Sequence, residues 1–201
     1  MPRFTEFDFG VSRVMGLFHQ DWIHDGDTAA EVVANHLSGS VPEEALAVRR
    51  DAWVLAALPA ESLEVLWYAG AEYLPDFDRL GGGTRWTRTV VELCDARLSA
   101  EPDVSALTGA DTEDGTDCLD AVVAEIEATR FLPAEVRAAL VVCARRCTPD
   151  LAFRILLRAI RSAAMDAVLS PDQYRRLEAV GSALRYGEFL VDSVRYRVHQ
   201  P

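Results

Sequence analysis

Cap residues followed by proline, then by apolar residues three and four apart, recur along this chain, and strand signals are almost absent. That grammar constrains the fold more than any single motif. Thr28-Ala29-Ala30-Glu31 is a capping box opening a run that puts Ala30, Val33, Ala34 and Leu37 on one helical face. Ser40-Val41-Pro42-Glu43 repeats the pattern and predicts a helix to about Leu58. Pro59 begins another, with Leu63, Leu66, Trp67 and Gly70 at helical spacing, ending near Leu74-Pro75 because the residue before a proline is pushed out of the α region. Thr84 caps a helix to about Ser99, Asp117 opens one to about Arg130, and Pro133 one to about Cys147. Thr148-Pro149-Asp150 and Ser170-Pro171-Asp172 are cap-then-proline starts. The helix after Thr148 is apolar nearly all round, which predicts the buried centre of its half, and the one after Ser170 has bend points at Gly181 and Gly187. The expected fold is all-α, built from helical bundles.

Helical period fails between the two sets of helices, where Pro102, Gly109, Gly115 and a cluster of acids fall together. The expected organisation is a helical domain at 1–100, a linker at 101–116 and a second helical domain at 117–201. A chain of 201 residues buries roughly 70% of the surface its unfolded form exposes, so it needs neither disulfides nor a structural metal to fold.

Charge narrows the partners. The 32 acids outnumber the 20 basic residues, all of them arginine, for a net charge of −12. Proteins that bind phosphate backbones carry the opposite excess, so no nucleic acid is expected and a basic partner is. Residues 1–127 hold 25 acids against 8 arginines, and residues 128–201 hold 7 against 12. The two parts either dock on each other or leave the acidic one free for a cation-rich partner. The first eight residues carry Glu6 and Asp8 where a secretory signal needs an apolar run, and no segment approaches a membrane span. A cytoplasmic location with no membrane association is expected, with Cys94, Cys118, Cys143 and Cys147 as reduced thiols.

The densest chemistry-bearing string runs from Leu17 to Asp27 and holds His19, His24, Asp21, Asp25 and Asp27. Two histidines five apart point in different directions on a helix, and no glutamate completes a calcium loop, so neither metal binding nor catalysis is expected. Trp22 instead anchors a helix end, with His19, Gln20 and Asp21 satisfying backbone groups at the turn. Cys143 and Cys147 lie on one helix face without a second ligand pair and are expected as core thiols. Gly81-Gly82-Gly83-Thr84 lacks the lysine of a phosphate loop and is expected as a flexible connector. Arg154, Arg158 and Arg161 form a stripe that either holds a phosphate or an acidic partner, or else lies as a solvated edge or pairs internally.

The block Phe18-His19-Gln20-Asp21-Trp22, followed by an acidic turn and the helix at Ala30-Glu31-Val32-Val33, resembles the small helical immunity proteins of contact-dependent growth inhibition and related polymorphic-toxin systems. Gly70, Tyr73, Pro75 and Trp86 resemble that family's second block, so the likeness covers about residues 9–98. It implies an all-α protein that binds and blocks a cognate toxin, with no active site, cofactor or metal. Residues 117–201 lie beyond it. The shared residues are expected to be mainly scaffold, because such families vary where they touch their toxins. Many such toxins are nucleases with basic clefts, so the expected contacts are the acids beside turns: Asp25, Asp27, Glu31, Asp76 and Asp78, with Glu43 and Glu44 behind them. The alternative is a helical adaptor or regulatory scaffold that binds a cellular protein through its C-terminal half.

Overall fold

The computed structural model describes residues 3–101 and 103–198. They form an all-α protein of two compact units, one spanning Phe9–Thr108 and the other joining residues 3–8 to residues 109–198. This division differs from the one expected at 1–100, 101–116 and 117–201. The first residues belong with the C-terminal helices, and the acid-rich stretch from Gly109 onward forms two 3-10 turns, Gly109–Thr112 and Thr116–Cys118, that pack in the same unit. Gly109 and Gly115 make those turns with φ of 58° and 77°, a region closed to most side chains.

The Phe9–Thr108 unit contains α1 (Gly10–Met15), α2 (Ala29–Ser38), α3 (Pro42–Leu55), α4 (Ala60–Gly70), α5 (Phe77–Leu80) and α6 (Gly83–Ser99). The 17-residue α6 is its spine, and α2, α3, α4 and α5 all pack on it while α1 packs on α3. Thr28 caps α2 as its sequence predicts: its hydroxyl accepts the Glu31 N–H, and Glu31 Oε2 accepts the Thr28 N–H at 3.1 Å. Thr28→Ala should therefore cost about 1 kcal/mol, read as a lower urea midpoint with an unchanged slope. Ser40 does not cap α3. Its hydroxyl donates to His36 O at 2.7 Å, so Val41 takes the cap position before Pro42. The start of α1 is tied down by two buried acids of α3, with Gly10 N–H on Glu44 Oε1 and Val11 N–H on Asp51 Oδ2, both at 3.1 Å.

The other unit contains α7 (Leu119–Ala128), α8 (Ala134–Arg146), α9 (Pro149–Ser162), α10 (Pro171–Ala183) and α11 (Glu188–Asp192). Thr148 and Ser170 both cap as predicted, accepting the N–H groups of Leu151 and Gln173. Nearly every residue of α9 from Pro149 to Ile160 is buried, as its all-round apolar pattern predicts, with α7 and α8 packed on it. The helix begun at Pro171 ends at Ala183 rather than bending. Arg185 closes it in the left-handed region at φ 57°, and Tyr186 N–H returns to Gly181 O at 2.9 Å. Among the described residues, β pairing is limited to one isolated bridge between Leu169 and Val198.

Candidate functional site

Two turns of the Phe9–Thr108 unit are joined by one backbone hydrogen bond, from Tyr73 N–H to Phe18 O at 3.0 Å. One turn follows α1 and carries Phe18 to Asp27; the other follows α4 and carries Glu72 to Asp78. Beneath the first, Phe18 is buried and meets Trp86 edge to face at 5.9 Å, while Trp86 meets Trp67 likewise at 5.7 Å. Trp22, in the 3-10 turn Trp22–His24, is half-buried against Phe18 at 5.7 Å. Gly70 lets α4 approach α1, since a Cβ there would fall on the side chain of Met15.

The motif residues thus divide into two groups. Phe18 and Trp86 lie in the core, and Trp22 and Pro75 are half-buried. His19, Gln20, Asp21 and Tyr73 face solvent. Within the turn His19 Nδ1 accepts the Asp21 N–H at 3.2 Å, Gln20 donates to the Asp21 carboxylate, and His19 Nε2 lies 3.5 Å from Asp25. Only His19 does the backbone work expected of the three.

Asp25, Asp27, Asp76 and Asp78 are exposed beside the two turns. Glu31 is exposed as well, but its carboxylate is engaged by the Asp27 and Thr28 N–H groups. Glu43 is half-buried, and Glu44 is buried on Gly10 with His36 Nε2 4.0 Å away, so Glu44 belongs to the scaffold and not to a contact face. The exposed acids are interleaved with apolar groups that the sequence does not place on a contact face, Tyr73 being expected as scaffold: Ile23 is 62% exposed, and Tyr73 and Tyr68 are 46% exposed. Tyr68 accepts the Phe77 N–H and packs on the Phe77 ring at 4.7 Å, which holds the second turn. The glycine run is a built connection and not a loose one. Gly81 and Gly82 have φ of 76° and 93°, and Gly83 N–H donates to Glu64 Oε1 at 2.8 Å.

Other candidates resolve into structure. Among the described residues, no group of three or more His, Cys, Asp or Glu side chains is placed to hold a metal ion. Burial pushes the Cys94 thiol up to about 12, so it is no nucleophile. Burial and the neighbouring Asp117 and Glu113 also raise Cys118. Cys143 is buried, and Cys147 half-buried. Of the arginine stripe, Arg154 pairs internally: it is buried, with Nη2 on Asp150 Oδ2 at 2.9 Å. Arg161 is exposed. Among the described residues, no helix is long and apolar enough to cross a membrane.

Charge redistributes with the unit boundary. Residues 9–108 hold 16 acids against 7 arginines, while residues 1–8 with 109–201 hold 16 against 13. Acids of the 109–127 stretch pair with arginines of the same unit, Glu125 with Arg176 at 2.5 Å and Glu113 with Arg185 at 3.0 Å. The free acidic excess therefore lies in the unit that carries the two turns. No protein family, curated protein or solved structure matches this chain.

Proposed function

We propose that the protein is a non-catalytic, cytoplasmic inhibitor of the immunity type, which binds and occludes a basic toxin domain through the face formed by the two joined turns. The supporting observation is the composition of that face: Asp21, Asp25, Asp27, Asp76 and Asp78 exposed around Ile23 and Tyr73, on stretches linked by the Tyr73–Phe18 hydrogen bond. Exposed apolar side chains inside a charged rim are the usual division of labour at an interface, anchors setting dissociation and charges setting association. The net excess of nine acids in residues 9–108 gives the steering its sign.

The test is binding to, and rescue from, the toxin domain encoded beside this gene. Reversing Asp25, Asp27, Asp76 and Asp78 to lysine should slow association at least tenfold at low salt, with a smaller difference at high salt. Tyr73→Ala should act on dissociation instead. Absence of a complex at either salt, with no rescue of toxin-expressing cells, would refute the proposal. The adaptor alternative draws support from the loop after α9, where Met165 is 95% and Val168 46% exposed, near Tyr196 at 65%. Arg197 fixes that loop by donating to Arg161 O, Ala163 O and Ala164 O. An adaptor would lose its partner on Met165→Asp and keep it through the four reversals.

A further inference from the structure

We propose that residues 3–8 occupy, in cis, a groove of the C-terminal unit that recognises an extended arginine-bearing peptide, so that the same groove takes such a peptide in trans when the arm leaves. The arm has no regular secondary structure, and its contacts are those of a bound peptide. Arg3 Nη2 donates to Asp150 Oδ1 at 2.8 Å, Nε donates to Leu184 O at 3.1 Å, and the guanidinium lies 5.3 Å from the centre of the Tyr186 ring. Phe4 N–H donates to Asp111 at 2.9 Å, and Phe189 N–H donates to Glu6 O at 3.1 Å. Phe7 stacks on Phe189 at 5.0 Å, with both rings still substantially exposed. Main-chain bonds supply the hold and one deep side-chain slot supplies the choice, the usual logic of peptide recognition.

The slot selects arginine over lysine. A planar guanidinium can donate sideways to a carboxylate and a carbonyl while lying over a ring, and an ammonium cannot do all three. The slot is also built without the arm. The second oxygen of Asp150 is held by Arg154, the Asp150 N–H by Asp114 O at 3.0 Å, and Asp150 O by the Tyr186 hydroxyl at 3.0 Å. Phe153 backs the Tyr186 ring at 6.1 Å. When Arg3 departs, its carboxylate partner stays oriented and keeps a guanidinium. Gly187 completes the groove: its backbone is at φ −70°, open to any residue, yet the three atoms nearest to an added Cβ all belong to Glu6. The glycine is there for the passing chain. Beyond Asp8 the chain enters the other unit at Phe9, so residues 3–8 lie against a surface made by residues distant from them in sequence.

The test uses full-length chains and a labelled peptide with the sequence of residues 1–8, followed by fluorescence anisotropy. Arg3→Glu, which sets a carboxylate against Asp150, should empty the groove and let the peptide bind saturably. The wild-type chain, whose own arm competes, should bind at least tenfold more weakly. Citrulline in place of arginine in the peptide should cost at least tenfold, and adding Gly187→Ala to the Arg3→Glu chain should abolish binding. Equal binding of the citrulline peptide, or binding that survives Gly187→Ala, would overturn the proposal. If circular dichroism shows the Arg3→Glu chain unfolded, the wild-type chain decides: saturable, citrulline-sensitive binding at high peptide concentration supports the groove, and none up to millimolar peptide refutes it.

Discussion

Asp150→Ala should lower stability by about 3–5 kcal/mol, because it leaves two buried guanidinia without the carboxylate they share. Arg3→Ala should cost less, about 2 kcal/mol, since Asp150 keeps Arg154. The order of the two is the informative part: a simple pair would give equal losses, whereas a shared carboxylate makes its own removal the worse. The optical probes separate the units. All four tryptophans, Trp22, Trp53, Trp67 and Trp86, lie in residues 9–108, so fluorescence follows that unit while far-UV circular dichroism follows both. In urea, Asp150→Ala should move a helical transition to lower denaturant, on the order of 2 M, with a smaller change in the fluorescence transition. If fluorescence moves as far as ellipticity, residues 3–8 and 109–198 do not form a separable unit and unfolding is concerted.

What was legible in the sequence was local. Thr28, Thr148 and Ser170 announce their helices because a cap acts on N–H groups two or three residues away, and α9 announces its burial through the density of large apolar residues between Leu151 and Ile160. What was not legible depends on distance along the chain. Arg3 meets Asp150 across 147 residues, and nothing near Arg3 signals it. Arg154 is likewise buried, paired with Asp150 one turn before it, since spacing identifies a helical face but not what covers it. The 101–116 stretch reads as a linker because glycine, proline and acids break helical period, yet from Gly109 onward it builds 3-10 turns and supplies Glu113 and Asp114 to their neighbours. The acids of the candidate face were legible as turn residues. Their apolar companions Ile23 and Tyr73 were not, because an exposed apolar side chain in sequence looks the same as a buried one.

Phe18→Ala should destabilise the Phe9–Thr108 unit by about 3–5 kcal/mol, a loss set by the cavity left when a fully buried ring is removed. Its ring meets Trp86 of the edge-to-face Trp67–Trp86 pair and also supports Trp22, so the void opens within an aromatic cluster that other side chains cannot easily fill. Here the fluorescence transition should shift, the reverse of the Asp150→Ala pattern, and native emission should move to the red as water reaches the indoles. His19→Ala, Gln20→Ala and Tyr73→Ala, at exposed positions of the same two sequence blocks, should stay within about 0.5 kcal/mol of the parent chain. One five-residue block thus combines a core anchor with solvent-facing side chains, and the two roles can be separated by measurement. If the proposed inhibitor reading is correct, Tyr73→Ala weakens toxin binding at full stability, whereas Phe18→Ala weakens it only as far as the unit unfolds. Equal stability losses at Phe18 and Tyr73 would show that Tyr73 is scaffold as Phe18 is and would move the search for the contact face elsewhere.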